Sequence, residues 1–211
     1  MEIPRVVYCC WTGENEMTPN RIRCLDEIRK NIGIPVVLIT SKNLMDYILP
    51  EYPLHPAYQY LSLNHKSDYI RAYMMHVHGG GYVDIKEVKD SWVSAFDDTD
   101  WINGSRELGE WSVGWAPHIP IWRQLIICCA FICRPRTAFT EEWFSEVNKL
   151  LDSKLEELKK NPATDGSCYN ESKEYPLEWV EVMGKIFHRI LPKYFDHVKQ
   201  TLPPPNFCNY R

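Results

Sequence analysis

The stretch His65–Asp90, HKSDYIRAYMMHVHGGGYVDIKEVKD, decides how the rest of this chain is read. Its first half has helical periodicity. Ile70, Tyr73, Met74 and Val77 recur at i, i+3, i+4 and i+7 and form one apolar stripe. Asp68 and Arg71 stand three apart, so they are neighbours on another side of the same helix. Gly79-Gly80-Gly81 ends that helix, because glycine takes the left-handed backbone common just past a C-terminus and lets another main chain come close. Tyr82-Val83-Asp84-Ile85 then reads as a short strand of β-forming residues that delivers Asp84 near its end. Taken alone, Asp68/Arg71 is better explained by a structural ion pair worth about 0.2–0.5 kcal/mol. Joined by a tight hinge to a carboxylate at a strand end, it becomes the makings of a site.

Working outward, the chain alternates strand and helix. Arg5 to Trp11 is a near-continuous apolar run, as expected of a buried parallel strand. Thr18-Pro19 supplies an N-cap and a first-turn proline for a helix carried by Ile22, Leu25, Ile28 and Ile32 and ended by Gly33. Pro35 to Thr40 is a second buried strand, with Ser41 expected to cap a short helix through Leu49. Prolines 50, 53 and 56 then break the chain into a loop with a short helical end. This β-α-β-α opening predicts an α/β fold with a Rossmann-like, mostly parallel central sheet flanked by helices, whose ligands gather at the strand C-terminal ends. Trp11 and Thr12 lie at such an end. Trp11 is equally readable as a core tryptophan.

Beyond the glycines, Asp98-Thr99-Asp100 spells D-x-D, but it follows no hinge and reads as a solvated acidic turn. Trp101 to Pro120, rich in turns and tryptophan, suits either an aromatic wall of a ligand site, since apolar C–H faces stack on aromatic rings, or a loop folded on itself. Leu125 to Cys133 predicts a further central strand, Thr140 to Lys160 a long amphipathic helix, and Leu177 to Leu191 a final one. Asn161 to Pro176 is polar and turn-rich, the expected mobile loop. His188 and His197 are candidates to reach a metal, each also readable as an ordinary histidine. Residues 1–202 are expected to form one domain, with the proline-rich 203–211 a linker to something further.

Composition bounds the function. A chain of 211 residues with 45% hydrophobic and 25% charged residues is an ordinary folded one. A net charge of −4 with no basic stripe argues against nucleic acid as partner. The start lacks the marks of a signal peptide, and no apolar run approaches the ~20 residues of a membrane span. The eight cysteines include no C-x-x-C pair, and most sit in strand-like runs where cysteine acts as a small hydrophobe. Reduced thiols and a cytoplasmic location are the expectation.

The ordered combination SDYIR, hydrophobic helix, GGGY, VD resembles the sugar-nucleotide core of GT-A glycosyltransferases carrying the D-x-D motif. The resemblance extends to the capsular-polysaccharide and yeast-type mannosyltransferases and to the glucosylating toxins. A narrower likeness is to glycosyltransferase domains with which large DNA viruses decorate their capsids, which would place the protein in host-cell cytoplasm. The resemblance implies a single GT-A domain that moves a hexose or deoxyhexose from a nucleotide donor, uridine-linked, to a glycan or glycoprotein acceptor, with retention. It implies that Asp68 and Arg71 contact the donor sugar, Ser67 the nucleotide, Trp11 the base with Thr12 beside it, and that Tyr82 joins them. Asp84 would be the first acid of the motif, near the ribose and a weakly held Mg²⁺ or Mn²⁺. The second acid is replaced by Lys86, which leaves the metal one carboxylate short. Glu87 or Asp90 could substitute, or Lys86 could neutralise the diphosphate itself. A binding domain without turnover and a metal-dependent phosphohydrolase remain the other classes.

Overall fold

A computed structural model describes residues 2–106, 124–164 and 174–208. Strand β1 (Val7–Trp11) leads to helix α1 (Pro19–Asn31) and strand β2 (Val36–Thr40). Next come helix α2 (Leu63–Val77), strand β3 (Gly80–Val83), helix α3 (Val93–Asp98), strand β4 (Ile102–Arg106) and strand β5 (Ile126–Cys133). Helices α4 (Ala138–Lys160) and α5 (Gly184–Ile190) and a short strand β6 (Val198–Lys199) complete the described α-helices and strands. The strands form one six-stranded sheet in the order β2-β1-β3-β5-β4-β6. β1 runs parallel to β2 and β3, and β4 to β6, while β5 is antiparallel to both of its neighbours. The expected α/β architecture with a central sheet flanked by helices is therefore present.

Strand alternation sorts side chains into two cores. Tyr8, Tyr82 and Phe131 face α2, α4 and α5, while Val7, Val83 and Ile132 face α1 and α3. α4 offers Trp143, Phe144, Val147, Leu151 and Leu158 to the first core, as its periodicity predicts. α1 starts as expected, with the Thr18 side chain accepting from the Arg21 amide, though Ile22, predicted inward, is exposed.

The hinge is built by close approach. Gly79 and Gly80 have φ of 71° and 100°, and a Cβ on Gly80 would lie 2.7 Å from the Val6 carbonyl oxygen. That contact lets β3 begin at Gly80, two residues earlier than the sequence suggests, so Asp84 stands just beyond the strand rather than inside it.

Four local expectations need correction. Ser41 caps nothing; Asn43 closes that turn instead, accepting from the Thr40 amide at 2.7 Å, and only Leu44–Tyr47 coils, as a 3-10 turn. The final helix is shorter than Leu177–Leu191, because residues 179–183 form turns held by α2: His65 Nε2 lies 3.2 and 3.3 Å from the Glu178 and Trp179 carbonyls. Trp179, expected inside, is consequently exposed. β4 was not foreseen, since INGSR looks like a loop. It is a strand because Asn103, fully buried, donates to the Ala95 carbonyl and the Thr201 hydroxyl, at 3.1 and 2.8 Å. The acidic Asp98-Thr99-Asp100 is tied into the fold rather than merely solvated, Asp98 accepting from Thr201 and Asp100 lying 2.7 Å from His197 Nδ1. Trp111, Trp115 and His118 of the expected aromatic wall, and 165–173 of the expected mobile loop, lie outside the described residues.

Candidate active site

Three side chains fix the start of helix α2. Ser62 caps it, accepting from the His65 amide, and Tyr175 brings its hydroxyl into the same turn, 2.8 Å from His65 Nδ1 and 3.1 Å from the Ser62 amide. Thr12, one residue past β1, donates to the carbonyl of Leu63, the first helical residue, at 2.8 Å. The sheet edge and the helix start are thereby tied to each other.

On the next turn Ser67, Asp68 and Arg71 face the end of β3. The Arg71 guanidinium is the centre of the cluster. Nη2 lies 3.2 Å from both Asp68 Oδ1 and Asp84 Oδ1, and Nη1 donates to the Cys128 carbonyl at 2.7 Å. Its plane rests over the Tyr82 ring, 4.5 Å from the centroid. The Tyr82 hydroxyl donates to Asp84 Oδ1 at 3.0 Å and lies 3.1 Å from the Ser67 hydroxyl. Lys86 Nζ donates to Asp84 Oδ2 at 2.5 Å. The Asp84 amide is itself anchored, donating to the Cys129 carbonyl at 2.9 Å.

Six residues singled out from sequence, Ser67, Asp68, Arg71, Tyr82, Asp84 and Lys86, thus meet in one continuous network. Trp11 and Thr12 stand at the same edge of the sheet, at the end of β1 beside β3, with Trp11 half-buried and its indole N–H donating to the Asn15 carbonyl at 2.7 Å. Among the described residues no hydrogen bond links them to the carboxylates. Arg71 Nε is buried without a partner among those residues, a donor in the cluster that a ligand could use.

The charges are unequal in character. Burial works against ionisation of Asp84, but Lys86 and then Arg71 outweigh it and hold its carboxyl at about 2. Asp68 is the reverse: burial raises it, and Arg71 only partly compensates. Burial also pushes the nearby Cys10 thiol up to about 12, so it is a packing group and not a nucleophile.

Two contributors were beyond the sequence's reach. The Cys128 carbonyl that seats Arg71 is a main-chain group on a distant strand. The other is the C-terminal tail: the Asn206 amide donates to the Glu87 carbonyl at 2.7 Å, its side chain to Glu87 Oε2 at 2.6 Å, and Lys86 Nζ lies 5.4 Å from the Phe207 ring centroid. The tail therefore packs beside the position where the second acid would be.

Whether this donor set suits a divalent cation turns on Asp84. Among the described residues no group of three or more histidine, cysteine, aspartate or glutamate side chains could cage a metal. Glu87 is occupied by Asn206 and faces Arg23 at 3.6 Å, and Asp90 is exposed. His188 does not reach toward Asp84: it is buried, its Nε2 is 3.0 Å from the Ile126 carbonyl, and burial lowers it to about 4, so it stays neutral. His197 stacks on Trp101 at 3.8 Å and belongs to Asp100. Asp84 remains. It is fully ionised, 25% of its side chain reaches solvent, and Oδ2 already holds a cation in the form of the Lys86 ammonium. Asp84 could thus supply one carboxylate to a divalent ion that takes its other ligands from outside the protein, rather than from a protein-built cage.

The family model described as capsular polysaccharide synthesis protein matches residues 1–85, which carries the chain from β1 through Asp84. The solved structure of the PaToxG glycosyltransferase superposes with a TM-score of 0.51 at 11% identity, over 90% of this chain and 68% of that one. None of the curated proteins matches. At that identity the structural likeness is one of fold, and the fold, with its six-stranded sheet and flanking helices, is similar to that of a glycosyltransferase.

Proposed function

We propose that this chain is a glycosyltransferase that takes its sugar from a nucleoside diphosphate donor, uridine-linked, and passes it to a glycan or glycoprotein acceptor. The observation that carries the proposal is the convergence of the Asp68/Arg71 pair and Asp84 on one partly buried cluster of charge at the C-terminal edge of the sheet. The family match over that same segment and the glycosyltransferase-like fold support it.

The chemistry is set by where charge develops. Breaking the bond between the anomeric carbon and the phosphate oxygen leaves negative charge on the diphosphate and positive charge on the sugar. Arg71, held by two carboxylates and a carbonyl, is a fixed cation that needs no reorganisation as the leaving group forms. Asp68, on the same guanidinium, accepts hydrogen bonds from donor hydroxyls and supplies negative charge toward the oxocarbenium-like sugar. Tyr82 and Ser67 keep Asp84 and Arg71 in register. Trp11, half-buried at the strand end, offers a face to the nucleobase, with Thr12 and its neighbours supplying main-chain groups to the base edge. Asp84 would hold Mg²⁺ or Mn²⁺, which when bound would neutralise the diphosphate. Retention of anomeric configuration is part of the proposal.

The test is turnover of a panel of UDP sugars with Mn²⁺ and no acceptor. A glycosyltransferase releases nucleotide and free sugar slowly, and Asp84→Ala abolishes most of that release while circular dichroism stays unchanged. Binding without any release would identify a binding domain, and attack on simple phosphate esters a phosphohydrolase. Either result overturns the proposal.

A further inference from the structure

The contact between Lys86 and Asp84 puts a cation on the oxygen that a metal would need. Lys86 Nζ sits 2.5 Å from Asp84 Oδ2, and its side chain is 8% exposed. It is held in place from outside: residue 87 is bridged to Asn206, and the Phe207 ring faces the ammonium. Asp84 Oδ1 is meanwhile committed to Arg71 and Tyr82. A free divalent cation approaching this carboxylate meets two fixed positive charges and an occupied oxygen. A cation that arrives on a diphosphate meets something different. The phosphates bring the negative charge that lets Lys86 leave Asp84, and they give the displaced ammonium a new partner at once. Lysine is suited to such an exchange, being a compact charge on a flexible stem with three donors.

We propose that Lys86 is an exchangeable internal counter-ion that bars Asp84 to free divalent cations and yields it only to a cation delivered together with a diphosphate, so that metal and nucleotide bind synergistically. The inference rests on the proposed donor class, and its test separates the two. Coupling between two ligands is reciprocal, so it is read from either side: UDP raises Mn²⁺ affinity by the same factor by which Mn²⁺ raises UDP affinity.

Mn²⁺ binding is followed by the loss of the free-ion electron paramagnetic resonance signal, with and without UDP, and UDP binding by calorimetry at saturating Mn²⁺. In the wild-type chain UDP strengthens Mn²⁺ binding by a factor in the range of about 5–150, the usual span of such couplings. In Lys86→Met the two affinities move in opposite directions. Mn²⁺ alone binds about tenfold or more tightly than to wild type, UDP at saturating Mn²⁺ binds more weakly, and the coupling factor shrinks toward one. Lys86→Arg, which keeps the charge, retains the exclusion of free Mn²⁺. It also serves as the second variant should the methionine variant fold poorly. A general loosening of the site would weaken both ligands together. Unchanged Mn²⁺ affinity in Lys86→Met, or loss of both affinities in parallel, overturns the counter-ion role while leaving the nucleotide site standing. Absence of UDP uptake by the wild-type chain at any Mn²⁺ concentration overturns both.

Discussion

Replacing Arg71 by methionine removes the one group that Asp68 and Asp84 share. The guanidinium side chain is 9% exposed, Asp68 12% and Asp84 25%, so the two acids would be left facing each other with little water to separate them. Each contact of 3.2 Å is of the size that contributes on the order of 4 kcal/mol at an effective dielectric of 20, before the cost of desolvation is set against it. Breaking a buried pair by deleting one partner destabilises by about 3–5 kcal/mol, mostly because a charge is stranded. Here Lys86 still serves Asp84, so the stranded charge is chiefly Asp68. The double variant Arg71→Met/Asp68→Asn should therefore recover stability, with a coupling of at least about 1 kcal/mol in the mutant cycle. Urea unfolding of the four proteins measures this directly, and a chain with about 5–15 kcal/mol to lose remains folded in water. An Arg71→Met cost below about 1 kcal/mol, or strictly additive substitutions, would refute the view that one guanidinium holds both acids.

Three further outcomes are expected. The Asp84 carboxyl lies at about 2 when folded against an ordinary 3.8, so its ionised form contributes about 2 kcal/mol above pH 4. That contribution is lost as pH falls from about 4 toward 2. Denaturation at stepped pH should show the loss in wild type and a flatter profile in Asp84→Asn. Gly80→Ala, which forces a Cβ to 2.7 Å from the Val6 oxygen at a φ of 100°, should cost about 1–3 kcal/mol, read from the urea midpoint; an unchanged midpoint would mean that the hinge is not tight. Asp98→Asn and Asp100→Asn should leave donor turnover within about twofold of wild type, the scatter of a surface change. Their partners are Thr201 and His197 rather than the Arg71 cluster, and a large loss would move the site to the literal D-x-D.

The site was legible where it is local. Ser67, Asp68, Arg71, Tyr82, Asp84 and Lys86 belong to one helix–hinge–strand unit, in which helical spacing fixes the first three, glycine fixes the bend, and β3 carries Tyr82 with Asp84 and Lys86 just past its end. The same logic found β1, β2, β5 and α4, all strongly periodic. It failed where a distant partner overrules local preference. Asn103 and Ser105 make β4 look like a loop until Ala95 and Thr201 are seen to take the amide of Asn103. Residues 178–183 carry a helical stripe, yet His65 competes for their carbonyls. Nothing in the tail's Pro-Pro-Pro-Asn-Phe announces that Asn206 will bond Glu87, because that contact spans most of the chain.

Lys86 shows why the two kinds of evidence have to be joined. From sequence it is a defect in a motif, and the natural inference is a weakened metal site. Among the described residues the lysine completes a cluster of two acids and two cations whose formal charges balance without any ligand. A second aspartate at position 86 would instead leave Arg71 among three carboxylates, and such a cluster gains by adding a cation. On the proposed counter-ion role, a metal would exchange with a resident group rather than simply add. On that proposal the departure from the motif changes what moves when donor binds, and the displaced ammonium would end beside the diphosphate, where a leaving group needs positive charge most.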